Sequence, residues 1–197
     1  MVFFVLTHPR SGSHLLGDLF RSHPDITFLS EPFKYIDKQS VFLDMIEDQG
    51  KDSKAVGADI KYGWVDQLIP HMEAELPHYK LIHLIRKDVL RTAVSNLLAC
   101  TTKEPPIHIE IKDFLLMKAL IESSIKHIRT IFKCHEVFYE DITGGGIQTQ
   151  TFLNQVKRKR MLEYLDLPDF ELTSNRKKEH PGDLSNWVIN HEELENV

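Results

Sequence analysis

A chain of 197 residues is long enough for one folding unit with a real core, and its 42% apolar and 27% charged residues exclude a disordered chain. The net charge of -5 excludes non-specific binding to nucleic acid or acidic membranes as the main activity, so an anionic ligand must be met by local positive groups. Two cysteines, Cys100 and Cys134, are too few for a disulfide framework or a thiolate metal site, and both read as buried or half-buried thiols.

Val2 to Leu6 is a short run of β-formers ended by His8-Pro9-Arg10, which predicts a strand buried on both faces. It is too short for a signal peptide, and no run approaches the ~20 apolar residues of a membrane span, so a reducing cytoplasm is the expected compartment. Leu15, Leu16, Leu19 and Phe20 fall at helical spacing and predict a helix from about His14 to Ser22. A short strand follows from Ile26 to Ser30, and Val56 to Ile60 is a weaker strand signal. Lys80 to Arg86 reads as a second buried strand feeding a helix from Asp88 to about Leu98. The most regular helix runs from Asp113 to about Phe132, with Phe114, Met117, Ile121, Ile125, Ile128 and Phe132 as one apolar stripe. Glu136 to Tyr139 is a further strand signal. Thr151 to Leu165 predicts a last helix, whose Lys157-Arg-Lys-Arg160 run reads as a solvated face. Gly144 to Gly146 and Pro168 mark loops. With no repeat or low-complexity linker, residues 1–197 read as a single domain of strands alternating with helices.

The informative stretch is Thr7-His-Pro-Arg10-Ser11-Gly12-Ser13-His14, between the first strand and the first helix. Gly12 permits a tight turn, and free N–H groups at the helix start form an anion cradle. Arg10 adds a fixed charge and Ser13 a hydroxyl donor. The bland alternative is a polar connector with an N-capping serine. The Gly-Lys-Ser/Thr ending of an ATP-binding Walker loop is missing, which weighs against a kinase.

Pro9-Arg-Ser-Gly-Ser13 followed by two leucines resembles the 5′-phosphosulfate loop of sulfotransferases that use 3′-phosphoadenosine-5′-phosphosulfate (PAPS), especially the shorter bacterial members. Further resemblances come in order: Arg21-Ser-His-Pro24 with Ser30-Glu-Pro-Phe33, Leu84-Ile-Arg86-Lys-Asp88 with Ala93-Val-Ser95, and Phe138-Tyr-Glu-Asp141. Leu165-Asp-Leu-Pro168 and the segments near Asn175 and Leu184 complete the series. The resemblance implies an α/β fold, a three-layer P-loop-like parallel sheet flanked by helices, with PAPS as donor and 3′-phosphoadenosine-5′-phosphate (PAP) as product. It also implies Arg10, Ser11, Gly12, Ser13 and His14 around the 5′-phosphosulfate, and Arg86 with Ser95 on the 3′-phosphate. Lys61 would lie beside the transferred group, and Lys177 with Lys178 would close over the nucleotide. There are departures: residue 10 is Arg where animal enzymes carry Lys, His14 replaces a usual Thr or Ser, and Ser95 stands nine rather than eight positions after Arg86.

The acceptor needs a base. Glu31, at the end of the Ile26 to Ser30 strand and before Pro32, is the first candidate, and His14 is the second, since imidazole titrates near neutrality. No metal is expected: the eleven histidines are dispersed with no HExxH-like pair, and a nucleotide phosphate is already a good leaving group. The acceptor is a hydroxyl or amine on a small molecule, glycan or lipid, in a pocket expected around Phe33 to Ile46 and Thr101 to Ile111. The alternatives are a kinase-like P-loop enzyme and a non-catalytic protein that binds PAP or another nucleotide.

Overall fold

Phe3 and Val5 turn to one face of the first strand and Phe4 and Leu6 to the other, and all four are buried. That double burial follows from strand alternation in a sheet covered on both sides. The computed structural model describes residues 1–32, 44–46, 48, 50–76, 78–102, 104–143, 154–176 and 182–197, with backbone alone for 71–75. Lys177, Gly144 to Gly146 and most of the expected Phe33 to Ile46 acceptor wall lie outside the described residues.

The strands are β1 (Val2–Thr7), β2 (Ile26–Leu29), β3 (Ala55–Lys61), β4 (Tyr79–Ile85) and β5 (His135–Phe138). They form one all-parallel sheet in the order β2-β3-β1-β4-β5. Helices α1 (Ser13–Arg21) and α6 (Gln155–Tyr164) cover one face, where Leu16, Leu19, Phe20, Met161 and Leu162 pack on Phe3 and Val5. Helices α2 (Tyr62–Glu75) and α4 (Ile111–Ile131) cover the other, where Val65, Leu68, Ile69 and Ile128 pack on Phe4 and Leu6. The α4 stripe continues into a third cluster, in which Phe114 and Ile121 meet α3 (Val89–Ala99) and Leu194 of α7 (His191–Glu195). Each fully buried Phe or Leu of these layers contributes roughly 1.5–3 kcal/mol of apolar transfer. A three-layer α/β architecture with a parallel sheet is therefore what the sequence folds into. Among the described residues no helix is long and apolar enough to cross a membrane.

The register fixes the site. Thr7 lies opposite both Lys61 and Leu84, so β1, β3 and β4 end level with one another. Leu29 pairs with Ala58 and Ile85 with Phe138, which brings Glu31 beside the end of β3 and Tyr139 beside Arg86. In open parallel sheets this carboxyl edge is where ligands bind.

Three expectations need correction. Cys100 is exposed rather than buried, because it caps the C-terminus of α3; Cys134 is half-buried as expected. The strand of Glu136 to Tyr139 stops at Phe138, and Tyr139 opens a short helix, α5 (Tyr139–Thr143). Helix α2 was not foreseen, since Gly63 and Pro70 both argue against a helix. Burial of Val65, Leu68 and Ile69 against β3 outweighs the hydrogen bond that Pro70 removes.

A polar pair links β4 to α2: the half-buried Tyr62 hydroxyl and the buried His83 Nε2 are 2.6 Å apart. Burial lowers the His83 pKa to about 4 and raises that of Tyr62. His83 is thus neutral in the fold, whereas the unfolded chain takes up its proton below about pH 6.5. The unfolded state binds more protons between these values, so stability falls as pH drops from about 6.5 toward 4. Between pH 7 and pH 5 the parent should lose on the order of 1–2 kcal/mol more than His83→Gln, measured by urea unfolding.

Candidate functional site

The loop after β1 is shaped from inside. Ser11 is buried, donates Oγ to the His8 carbonyl at 2.7 Å and shares a short hydrogen bond with Thr7 Oγ1. Its N–H also goes to His8 O at 3.3 Å. Ser11, expected to touch the cofactor, therefore uses its side chain and its N–H to hold the turn. Burial lowers the pKa of His8 at the root of this loop; its bond to the Pro9 carbonyl pulls the other way, and the Lys61 charge lowers it further. The imidazole is neutral near pH 7.

Arg10 and Gly12 both take left-handed backbone, at φ 67° and φ 98°. Gly12 is required twice over, because a Cβ there would also run into the Tyr139 ring. Helix α1 then starts at Ser13 with no side-chain cap on Gly12. Its first N–H groups have no intrahelical acceptor and the helix dipole adds partial positive charge, so the loop is an anion cradle.

On one side of the cradle stands a basic cluster. Arg10 Nε donates to Ser95 Oγ at 3.1 Å, and Arg86 Nη1 donates to the Arg10 carbonyl at 3.4 Å. The Arg86 guanidinium lies over the Tyr139 ring, 4.9 Å from its centroid, and its buried Nε has no partner among the described residues. Burial raises the Tyr139 pKa, against the opposing pull of the Arg86 charge. The Arg10 side chain thus reaches Ser95, while its backbone carbonyl receives Arg86.

On the other side stands a mixed-charge cluster. Lys61 Nζ donates to Ser13 Oγ and to Asp59 Oδ2, each at 2.7 Å, and lies 3.4 Å from Glu31 Oε1. The same Glu31 oxygen is 3.4 Å from His14 Nε2. Glu31 is held in left-handed backbone, φ 48°, with its N–H donated to Asp59 Oδ1. Side-chain exposure rises from 2% at Asp59 through 18% at Lys61 and 26% at Glu31 to 48% at His14. The cluster therefore grades from the core to solvent, with the carboxylate of Glu31 and the imidazole of His14 on the open side.

Arg10, Ser13, His14, Glu31, Lys61, Arg86 and Ser95 are all brought to the carboxyl edge of the sheet, around one helix N-terminus. No group of three or more His, Cys, Asp or Glu side chains suited to a metal occurs among the described residues. Two residues of this edge were missed, Asp59 and Tyr139. Asp59 had a readable signal: an acid inside an otherwise apolar strand, two residues before a lysine, shares that lysine's face.

No protein-family model matches the chain, and no curated protein does. Solved structures do. A sulfotransferase from Alicyclobacillus acidocaldarius is 14% identical with a TM-score of 0.63, over 91% of this chain and 86% of that one. The sulfotransferase domain of the Synechococcus olefin synthase is 15% identical with a TM-score of 0.59, over 86% and 74%. A mouse sulfotransferase complexed with PAP is 17% identical with a TM-score of 0.51, over 85% of this chain and 58% of that one. The chain has the sulfotransferase fold.

Proposed function

We propose that this protein is a sulfotransferase that moves a sulfuryl group from PAPS to a hydroxyl or amine on a small-molecule, glycan or lipid acceptor. The observation that carries the reading is the pairing of two clusters across one helix N-terminus. Arg10, Arg86 and Ser95 meet on one side, and Glu31 reaches Ser13 through Lys61 on the other.

The residues suit the donor. A nucleotide with phosphates at both the 5′ and 3′ positions needs two anion sites close together. The N–H groups at the start of α1 with Ser13 and Lys61 supply one, and Arg86 with Ser95 the other. The buried Arg86 Nε is a donor that a 3′-phosphate oxygen would satisfy. Arg10, lying between them, adds charge to both.

In the proposed step the acceptor oxygen or nitrogen attacks sulfur in line. The bond from sulfur to the bridging phosphate oxygen breaks and its electron pair leaves with PAP. The acceptor proton passes to Glu31, with His14 as the other group in reach. Lys61 and the loop N–H groups neutralise charge on the sulfuryl and leaving oxygens, as in phosphoryl transfer. These residues need no metal for this.

A thermal-shift comparison tests the donor. PAP should raise the melting temperature, because a ligand bound only by the folded state stabilises it, and adenosine 5′-phosphate should do so much less. Equal shifts remove the 3′-phosphate role of Arg86 and Ser95. A larger shift from ATP with magnesium favours a kinase-like enzyme instead.

A further inference from the structure

We infer that Asp59 is a positioning residue that sets both Lys61 and Glu31 for sulfuryl transfer; this rests on the sulfotransferase reading. Its carboxylate is buried, yet both oxygens are used, one by the N–H of Glu31 and one by Lys61 Nζ at 2.7 Å. A charge at such depth is costly unless paired and hydrogen-bonded, and here the pairing reaches two proposed participants at once.

Each bond has a distinct effect. The N–H bond holds Glu31 in a left-handed conformation that a non-glycine residue rarely adopts, and so fixes where its side chain starts. The ion pair holds Lys61 at Ser13 even when Glu31 has taken a proton and no longer attracts the ammonium. Without Asp59, Lys61 would follow the charge of Glu31 and drift from the transferred group. The groups facing Glu31 are His14 from α1, Lys61 and Asp59 from β3, and Ser30 beside it, which Arg21 engages at 3.0 Å.

Two measurements on Asp59→Asn test this. In the ligand-free protein, Lys61 should be acylated by an amine-selective reagent several-fold faster than in the parent, while the exposed Lys54 reacts equally in both. An unchanged Lys61 rate overturns the clamp, whatever the protein transfers. With PAPS, release of PAP should slow ~10–100-fold, the cost of a small misplacement. The Lys61 labelling rate is the readout that a merely structural residue would not move. Added to Lys61→Met, the substitution should cost little more than Lys61→Met alone, since both act through one unit. Fully additive losses overturn the inference. If Asp59→Asn does not fold, Asp59→Ser, which keeps an acceptor oxygen, takes the same measurements. A parent that ignores both PAP and PAPS sinks the sulfotransferase reading, and the labelling result still decides the role of Asp59.

Discussion

Glu31→Gln should slow PAP release from PAPS, with hydroxyl and amine acceptors offered, by ~10²–10⁴-fold, the usual contribution of a positioned base. PAP affinity should stay close to the parent's. The amide keeps the size of the carboxylate, and the backbone bond to Asp59 does not involve the side chain. What is lost is proton acceptance beside Lys61 and His14, each 3.4 Å from Glu31 Oε1. The acidic limb of the pH–rate profile should disappear with it. If His14→Gln gives this pattern and Glu31→Gln does not, the imidazole is the base and Glu31 only orients. Undiminished turnover in both variants would leave neither as the base.

The second large effect is expected at Arg10. Arg10→Ala should raise the barrier by ~2–4 kcal/mol, the usual loss when one charge-assisted donor at a developing negative charge is removed. PAP binding should weaken too, since the guanidinium reaches Ser95 Oγ at 3.1 Å and so lies within the proposed 3′-phosphate grouping. Stability to urea should change little. Alanine retains the left-handed strain of φ 67° that arginine already bears, and the side chain is not part of a hydrophobic cluster. A variant that fails to fold would make Arg10 a structural partner of α3 rather than a ligand group.

Much of this arrangement is legible in the sequence. Short runs of β-formers and turn residues located β1 and β4, and 3.6-residue spacing located α1 and α4, because each of these elements buries one side or both against a large neighbour. The residues of the phosphate loop pointed to an anion cradle for the same local reasons. Helix α2 stayed hidden because Gly63 and Pro70 contradict its apolar spacing, and only the packing of Val65, Leu68 and Ile69 on β3 decides the matter. The inward turn of Ser11 was likewise unreadable, since a serine beside a glycine has the same sequence signature whether it faces a ligand or a carbonyl. Asp59 depends on register: its bond to the Glu31 N–H exists only because β2 and β3 pair with Leu29 opposite Ala58. Strand pairing is a property of the whole sheet, which a local pattern does not carry.

The ring of Tyr139 forms a wall against both Gly12 and Arg86, although it opens α5, just past β5, far along the chain. During synthesis, which delivers the N-terminal part first, the loop sequence emerges long before this wall does. During synthesis the cradle is therefore completed only once β5 has emerged and paired with β4. A nascent chain that ends short of Tyr139 carries every residue of the phosphate loop without the surface that packs it. Binding of the proposed nucleotide would thus report completion of the sheet.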